Sequence, residues 1–292
     1  MSKSNLKSGF LLIKSRKLVM DASHKKENTS DGVADLFSSF TDDFTFKLAI
    51  TEAEKKRIYK LRHAVYCQEI GYHPPVENED NTEYDNHDSH SIHCLIEHQK
   101  SGLAAGCLRL VLPAPKTEGP NKRLPLQEFG EETLPHEILH PAKLPYDSIC
   151  EISRFAIARA FRHKAINHET LSADQNTYHF TETERKTFPL IVIALFLATY
   201  SLVGLMKKRH VFAMMEPRLP RLLSMSGFKF TKVGEPVEMH GKRNAFYIDH
   251  TKAEQEMHED LMPFYLYIRK ELDTQLKELL IKKNSSSIMS LI

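Results

Sequence analysis

The stretch ICEISRFAI, residues 149–157, holds two charges where a strand normally carries none. Its β-branched and aromatic residues read as a core strand, yet it contains Glu151 and Arg154. A second apolar run, AAGCLRLVL at 104–112, contains Arg109 in the same way. Desolvating an unpaired ion costs several kcal/mol, so charges inside core strands imply partners. Those partners stand upstream, where NTEYDNHDSHSIHCLI (81–96) crowds Glu83, Asp85 and Asp88 before another strand-like run. Arg62, on a helical segment, adds a further guanidinium. A shared, partly buried cluster of arginines and carboxylates is expected, and such clusters favour functional sites. Glu151 and Arg154, three apart, point to opposite faces of a regular strand. Serving one site therefore requires a β-bulge, expected near Ile152 or Ser153.

On either side of this strand the pattern is mixed α/β. TEAEKKRIYKLRHAVYCQEIG (51–71) opens with Thr51 and Glu54 in capping-box spacing. Ile58, Leu61 and Val65 recur at helical spacing, which places Arg62 and Tyr66 on a shared face. HSIHCLIEH and AAGCLRLVLP flank QKSG and predict an antiparallel hairpin. The Pro-rich residues 113–147 predict a long ordered loop. FPLIVIALFLATYSLVGLM (188–206) is long enough to span a bilayer. Basic residues flank both its ends, and Pro189 and Thr199-Tyr200-Ser201 suit a helix buried in a soluble core. HVFAMM predicts a strand, PRLPRLLSMSGF a helix, and FKFTKVGEPVEM with KRNAFYID a last pair of strands.

Three segments follow: a loosely held polar extension over 1–45, one α/β domain over 46–250, and an amphipathic helical tail over 251–292 interrupted near Pro263. The tail's apolar spacing suits a dimer or peripheral membrane contact, without a transmembrane span. A net charge of +2 points to neither nucleic acid nor an anionic membrane. Four scattered cysteines argue against a disulfide scaffold or a zinc ribbon and fit a reducing cytoplasm. The apolar run near the N-terminus is too short for a signal sequence. His87, His90 and His93 would share a face on a helix, but their segment reads as loop into strand, so no metal is expected.

Arg62 and Tyr66 followed by Tyr72, then EYDNHD, then GCLRL, then EISRF form an order of residues that resembles the acyl-homoserine-lactone synthases. EISRFAIA, MEPRLPRLLSMSGF and MHGKRNAFYI resemble more closely the N-acyl amino acid synthases and the PEP-CTERM/exosortase system-associated acyltransferases of bacteria. The resemblance covers roughly residues 46–250. It implies a GNAT-like acyl-CoA N-acyltransferase fold, a central mixed, mostly antiparallel sheet flanked by helices. It also implies a fatty acyl thioester donor, usually on acyl carrier protein, and no tightly bound cofactor. The lactone synthases carry tryptophan where Tyr72 stands, and their loop between Arg109 and Glu151 is shorter. Both departures turn the expectation from S-adenosylmethionine towards an amino acid or similar amine.

Aminolysis of a thioester needs a base and donors for an oxyanion. Glu151 is the candidate base, with Arg154 and Arg109 completing the catalytic group. Arg62, Tyr66, Tyr72, Glu83, Asp85 and Asp88 are candidate acceptor-binding residues. The strand continues as ARAFRHKAINHE, without a Gly-rich pyrophosphate loop, which favours a carrier protein over CoA. Lys207, Lys208, Arg209, Arg218 and Arg221 are candidate docking residues for that acidic partner. A lactone synthase is the alternative enzyme, and an inactive acyl-carrier or acyl-lipid binding protein the alternative of another class.

Overall fold

A computed structural model describes residues 29–72, 79–113, 123–162, 178–224, 228–239 and 241–289. Its sheet runs in the order β1-β2-β3-β4-β5-β8-β6, with β7 pairing β8. The strands are β1 (Phe44–Leu48), β2 (Ser91–His98), β3 (Ala104–Val111), β4 (Ile149–Ile157) and β5 (His210–Met215). They continue with β6 (Thr231–Lys232), β7 (Val237–Glu238) and β8 (Lys242–Asp249). All pairings are antiparallel except β4 with β5. The segment before β8 is thus broken into two short strands. There Val233 and Gly234 both donate to the Ala245 carbonyl, at 2.9 and 3.2 Å, and a Cβ on Gly234 would lie 2.7 Å from that of Ala245.

The helices are α1 (Thr29–Asp43), α2 (Glu52–Arg62), α3 (Glu182–Thr187), α4 (Leu190–Leu205), α5 (Leu219–Ser224), α6 (His250–Gln255) and α7 (Met262–Met289). The capping box at Thr51 and Glu54 starts α2 as expected. A π-helical turn, His63–Glu69, then carries the chain on from α2. That widened turn separates Arg62, which is fully buried, from Tyr66, which faces a cleft. Gly106 of β3 faces α4, where an added Cβ would meet the Leu195 side chain at 3.0 Å. Arg109, three residues on, points to the opposite face, towards Arg62.

Helix α4 packs across the sheet and against α7, and it is buried on most sides. Among the described residues no helix is long and apolar enough to cross a membrane. Two expectations about the ends of the chain are corrected. Residues 29–43 form α1, whose buried Phe37 stacks on Phe264 at 4.5 Å and whose Phe40 is also buried. Residues 1–28 lie outside the described residues. The C-terminal segment is a structural layer rather than a tail, because Ile268, Leu272, Leu276 and Leu279 of α7 are buried. Gln275 accepts from the Leu48 N–H at 2.8 Å and donates to the Phe46 carbonyl at 2.9 Å, covering the edge of β1. Pro263 begins α7 instead of interrupting it, since a first turn needs no N–H donor there.

Candidate active site

The charged residues singled out in the sequence meet in a closed ring. Arg62 donates from Nε to Glu83 at 2.5 Å, and from Nη1 and Nη2 to Asp88 at 2.7 and 3.1 Å. Arg109 donates from Nη1 to Asp88 at 2.9 Å and to Asp85 at 2.5 Å. Arg154 closes the circuit, with Nη2 2.8 Å from Asp85 and Nε 3.0 Å from Glu83. Each carboxylate therefore bridges two guanidiniums, and the charges cancel. Burial works to raise the carboxyls of Glu83, Asp85 and Asp88, but the arginines outweigh it and hold all three below their ordinary range. Asp85 also caps a short 3-10 turn, Asn86–His90, by accepting from the His87 N–H at 2.9 Å. Every carboxylate oxygen of the ring is engaged, so the ring fastens the acidic loop to β3 and β4.

The expected bulge is present, one step further along than the sequence suggested. Cys107 pairs with Ala156 but Arg109 pairs with Ser153, so β4 carries an extra residue between them. Arg154 takes φ +52°, a left-handed conformation that a non-glycine residue adopts at a cost of about 1–3 kcal/mol. This turns its guanidinium into the ring and over the rings of Tyr66 and Tyr72, at 5.8 and 5.6 Å. Tyr66 donates its hydroxyl to the Phe155 carbonyl at 3.0 Å.

Just before the bulge the sheet opens. Strand β4 pairs with β5 only from Ile149 to Ile152, and past that point the two strands part. The gap is an apolar cleft of about 240 Å³, lined by Ile152–Ile157, by Ala213–Met215 and by Val192, Phe196 and Tyr200 of α4. A smaller pocket of about 90 Å³ adjoins it and contains Glu151. The two share Tyr66, Ile70, Ser153, Arg154, Met214 and Arg243.

Glu151 stands apart from the ring. It is fully buried, and its Oε2 accepts from the Leu126 N–H at 2.8 Å. Burial raises its carboxyl to about 7, against the opposing pull of that N–H and of Arg109. The donor comes from the Pro-rich segment, whose described part, 123–147, contains 3-10 turns such as Pro125–Phe129 and buries Leu124, Leu126 and Leu134 against Ile149 and Phe212.

Several contributors carried weak or no signal in the sequence. A backbone donor such as Leu126 has no residue-type signature. Ser153 accepts from Arg109 Nε at 2.9 Å, and Tyr59 lies under Arg62 at 5.2 Å. Arg243 in KRNAFYID is a charge inside a strand, the signal that had marked Arg109. The histidines do not converge on a common point. His87 reaches Glu128 at 2.7 Å, while burial lowers His93, beside Asp88, to about 4. At the other end of β2 the side chains of Asp43, His98 and Glu184 come together, with the Lys100 ammonium 3.4 and 3.1 Å from the two carboxylates. The basic candidates divide. Arg218 lines the cleft and Arg221 lies on the adjoining α5, whereas Lys207, Lys208 and Arg209 precede β5 at its opposite end. Lys208 donates to the Asp147 carbonyl and Arg209 pairs with Asp249.

Residues 61–171 match the family described as Acetyltransferase (GNAT) domain. No curated protein sequence matches the chain. Among solved structures, the chain is similar to BjaI, a CoA-dependent acyl-homoserine lactone synthase solved with SAM and isopentyl-CoA. That likeness has 17% identity and a TM-score of 0.51, over 77% of this chain and 89% of that one. FeeM, an N-acyl amino acid synthase from uncultured soil microbes, aligns at 10% identity and TM-score 0.49, over 75% and 97% of the two chains. The acyl-homoserine lactone synthase LasI aligns at 18% and 0.45, over 71% and 89%. The domain match, the mostly antiparallel sheet flanked by helices and the parting of β4 from β5 together give this chain the GNAT-like acyltransferase fold.

Proposed function

We propose that the protein is an N-acyltransferase that moves a fatty acyl group from a thioester to the amine of an amino acid or similar small acceptor. One observation carries this reading: an apolar cleft opened by the parting strands adjoins a pocket holding a buried carboxyl whose pKa is raised to about 7. The acyl chain occupies the cleft against α4, and the thioester lies beside the bulge. Glu151 takes one proton from the acceptor ammonium, directly or through a water. The free amine attacks the thioester carbon, forming the C–N bond. Backbone N–H groups of β4 beyond Ile152 face the developing oxyanion. The C–S bond then breaks, and the thiolate leaves with the second proton from nitrogen. An amide, a free thiol and one proton result.

Acyl carrier protein is the proposed donor, docking near Arg218 and Arg221 beside the cleft. Most of the segment after β4 that bears on a CoA pyrophosphate, 163–177, lies outside the described residues. A cytoplasmic setting accompanies this reading, since such donors and four free cysteines belong to a reducing compartment. The PEP-CTERM/exosortase association rests on the sequence resemblance and belongs to the same proposal.

The test is mass spectrometry of lipids from a bacterium expressing the chain, compared with Glu151→Gln. New N-acyl amino acids that disappear in the variant are expected. Acyl-homoserine lactones would instead favour S-adenosylmethionine as acceptor. No new product, with both proteins folded and binding an acyl donor, would favour a binding protein.

A further inference from the structure

Arg62, Arg109 and Arg154 each already pair with two carboxylates of the ring, so none of them offers the acceptor an unneutralised charge. The pocket that holds Glu151 has two cationic residues on its wall, Arg154 and Arg243. Arg243 is differently placed. It lies on β8, opposite Val237 and next to Asn244, which pairs with Met215 at the end of β5 where β4 has already parted. Its Nε donates to the Met239 carbonyl at 3.1 Å, which fixes the plane of the guanidinium. Its ion pair with Glu216, 3.8 Å from Nη2, is longer than a hydrogen bond, unlike the contacts within the ring.

A guanidinium keeps its charge at every accessible pH and presents donors in a fork that matches a carboxylate. The Arg243 side chain is only 22% exposed, so that charge is held largely out of water. Arg243 also borders both the cleft and the pocket. A carboxylate held there keeps the amine on the neighbouring carbon within the pocket that Glu151 also lines. We infer that Arg243 binds the carboxylate of the acceptor and is the residue that sets the preference for amino acids over simple amines. This rests on the acyl-transfer reading above.

The test offers the purified full chain a long-chain acyl carrier protein thioester with a mixture of proteinogenic amino acids, or with their methyl esters. The esters keep the amine and side chain and remove the negative charge. Wild-type protein should prefer acids over esters by roughly 30- to 100-fold in kcat/KM, the size of a charge-assisted pair. Arg243→Met should collapse that ratio to within about threefold, mainly through KM for the acids, and Arg243→Lys should restore part of it. Partial unfolding lowers both rates alike, so the ratio reports binding by the folded fraction alone. Equal use of acids and esters by wild-type protein, or an intact preference in Arg243→Met, would overturn the inference while leaving acyl transfer standing. Transfer to neither set would overturn the acyl-transfer reading, and this inference with it.

Discussion

Glu151 makes two demands of opposite sign on pH. As a base it works only when ionised, so kcat/KM should rise with pH along a limb centred near 7. Glu151→Gln should abolish that limb and lower turnover about 10²- to 10⁴-fold; a retained limb would assign it to another group. Stability runs the other way. The folded carboxyl holds its proton more tightly than the unfolded chain, so its contribution is whole below about 4.5 and is lost as pH rises through about 7. Glu151→Gln should therefore raise stability at pH 8 by up to about 3 kcal/mol, with a higher Tm, and change little at pH 5, as melting curves at both values would show. That a carboxylate stood inside a core strand was legible in ICEISRFAI. The Leu126 N–H that it accepts was not, because backbone donors leave no mark in residue type. The bulge was legible as a need, since Glu151 and Arg154 otherwise diverge. Its position was not, because hydrogen-bond register with β3 sets where the extra residue falls.

Among the elements, the acidic loop and the first helix carry the clearest predictions. Removing one member of the ring strands its two buried neighbours. Arg109→Met should accordingly cost about 3–5 kcal/mol by chemical denaturation. Adding Asp85→Asn should recover part of that loss, giving a double-mutant cycle with measurable coupling. Additive losses would mean that the two do not act through each other. Helix α1 makes a separate prediction. Phe40 is fully buried among Phe44, Phe46 and Phe264, so Phe40→Ala should destabilise the protein by about 3–5 kcal/mol. A near-neutral effect would return α1 to the status of a loose extension. Its sequence, TSDGVADLFSSFTDD, reads as polar linker because Ser and Asp outnumber the apolar positions. Phe37 and Phe40 acquire meaning only beside Phe264, from the far end of the chain. The helix Glu52–Arg62, by contrast, declares its start through local capping chemistry.

For the whole molecule, the sequence pattern exposed the mixed α/β plan but not the opening between β4 and β5, since pairing of distant strands has no local signature. That opening separates the basic residues into two groups with different expected roles. Arg218→Ala with Arg221→Ala should lower kcat/KM for a carrier-protein donor about 10-fold at low salt, with the difference fading as salt rises. Lys207→Ala, at the opposite end of β5, should leave the rate unchanged in the same assay. An equal effect from Lys207→Ala would move the docking face away from the cleft. The charged ring has a consequence of another kind. Three cations and three anions closed on one another leave the ring with no net charge. Substitutions that resize the cleft or reverse the preference of the acceptor pocket therefore need no compensating change in the clasp that holds the acidic loop. Descendants of one such protein can diverge in what they join while the same six side chains keep each of them folded.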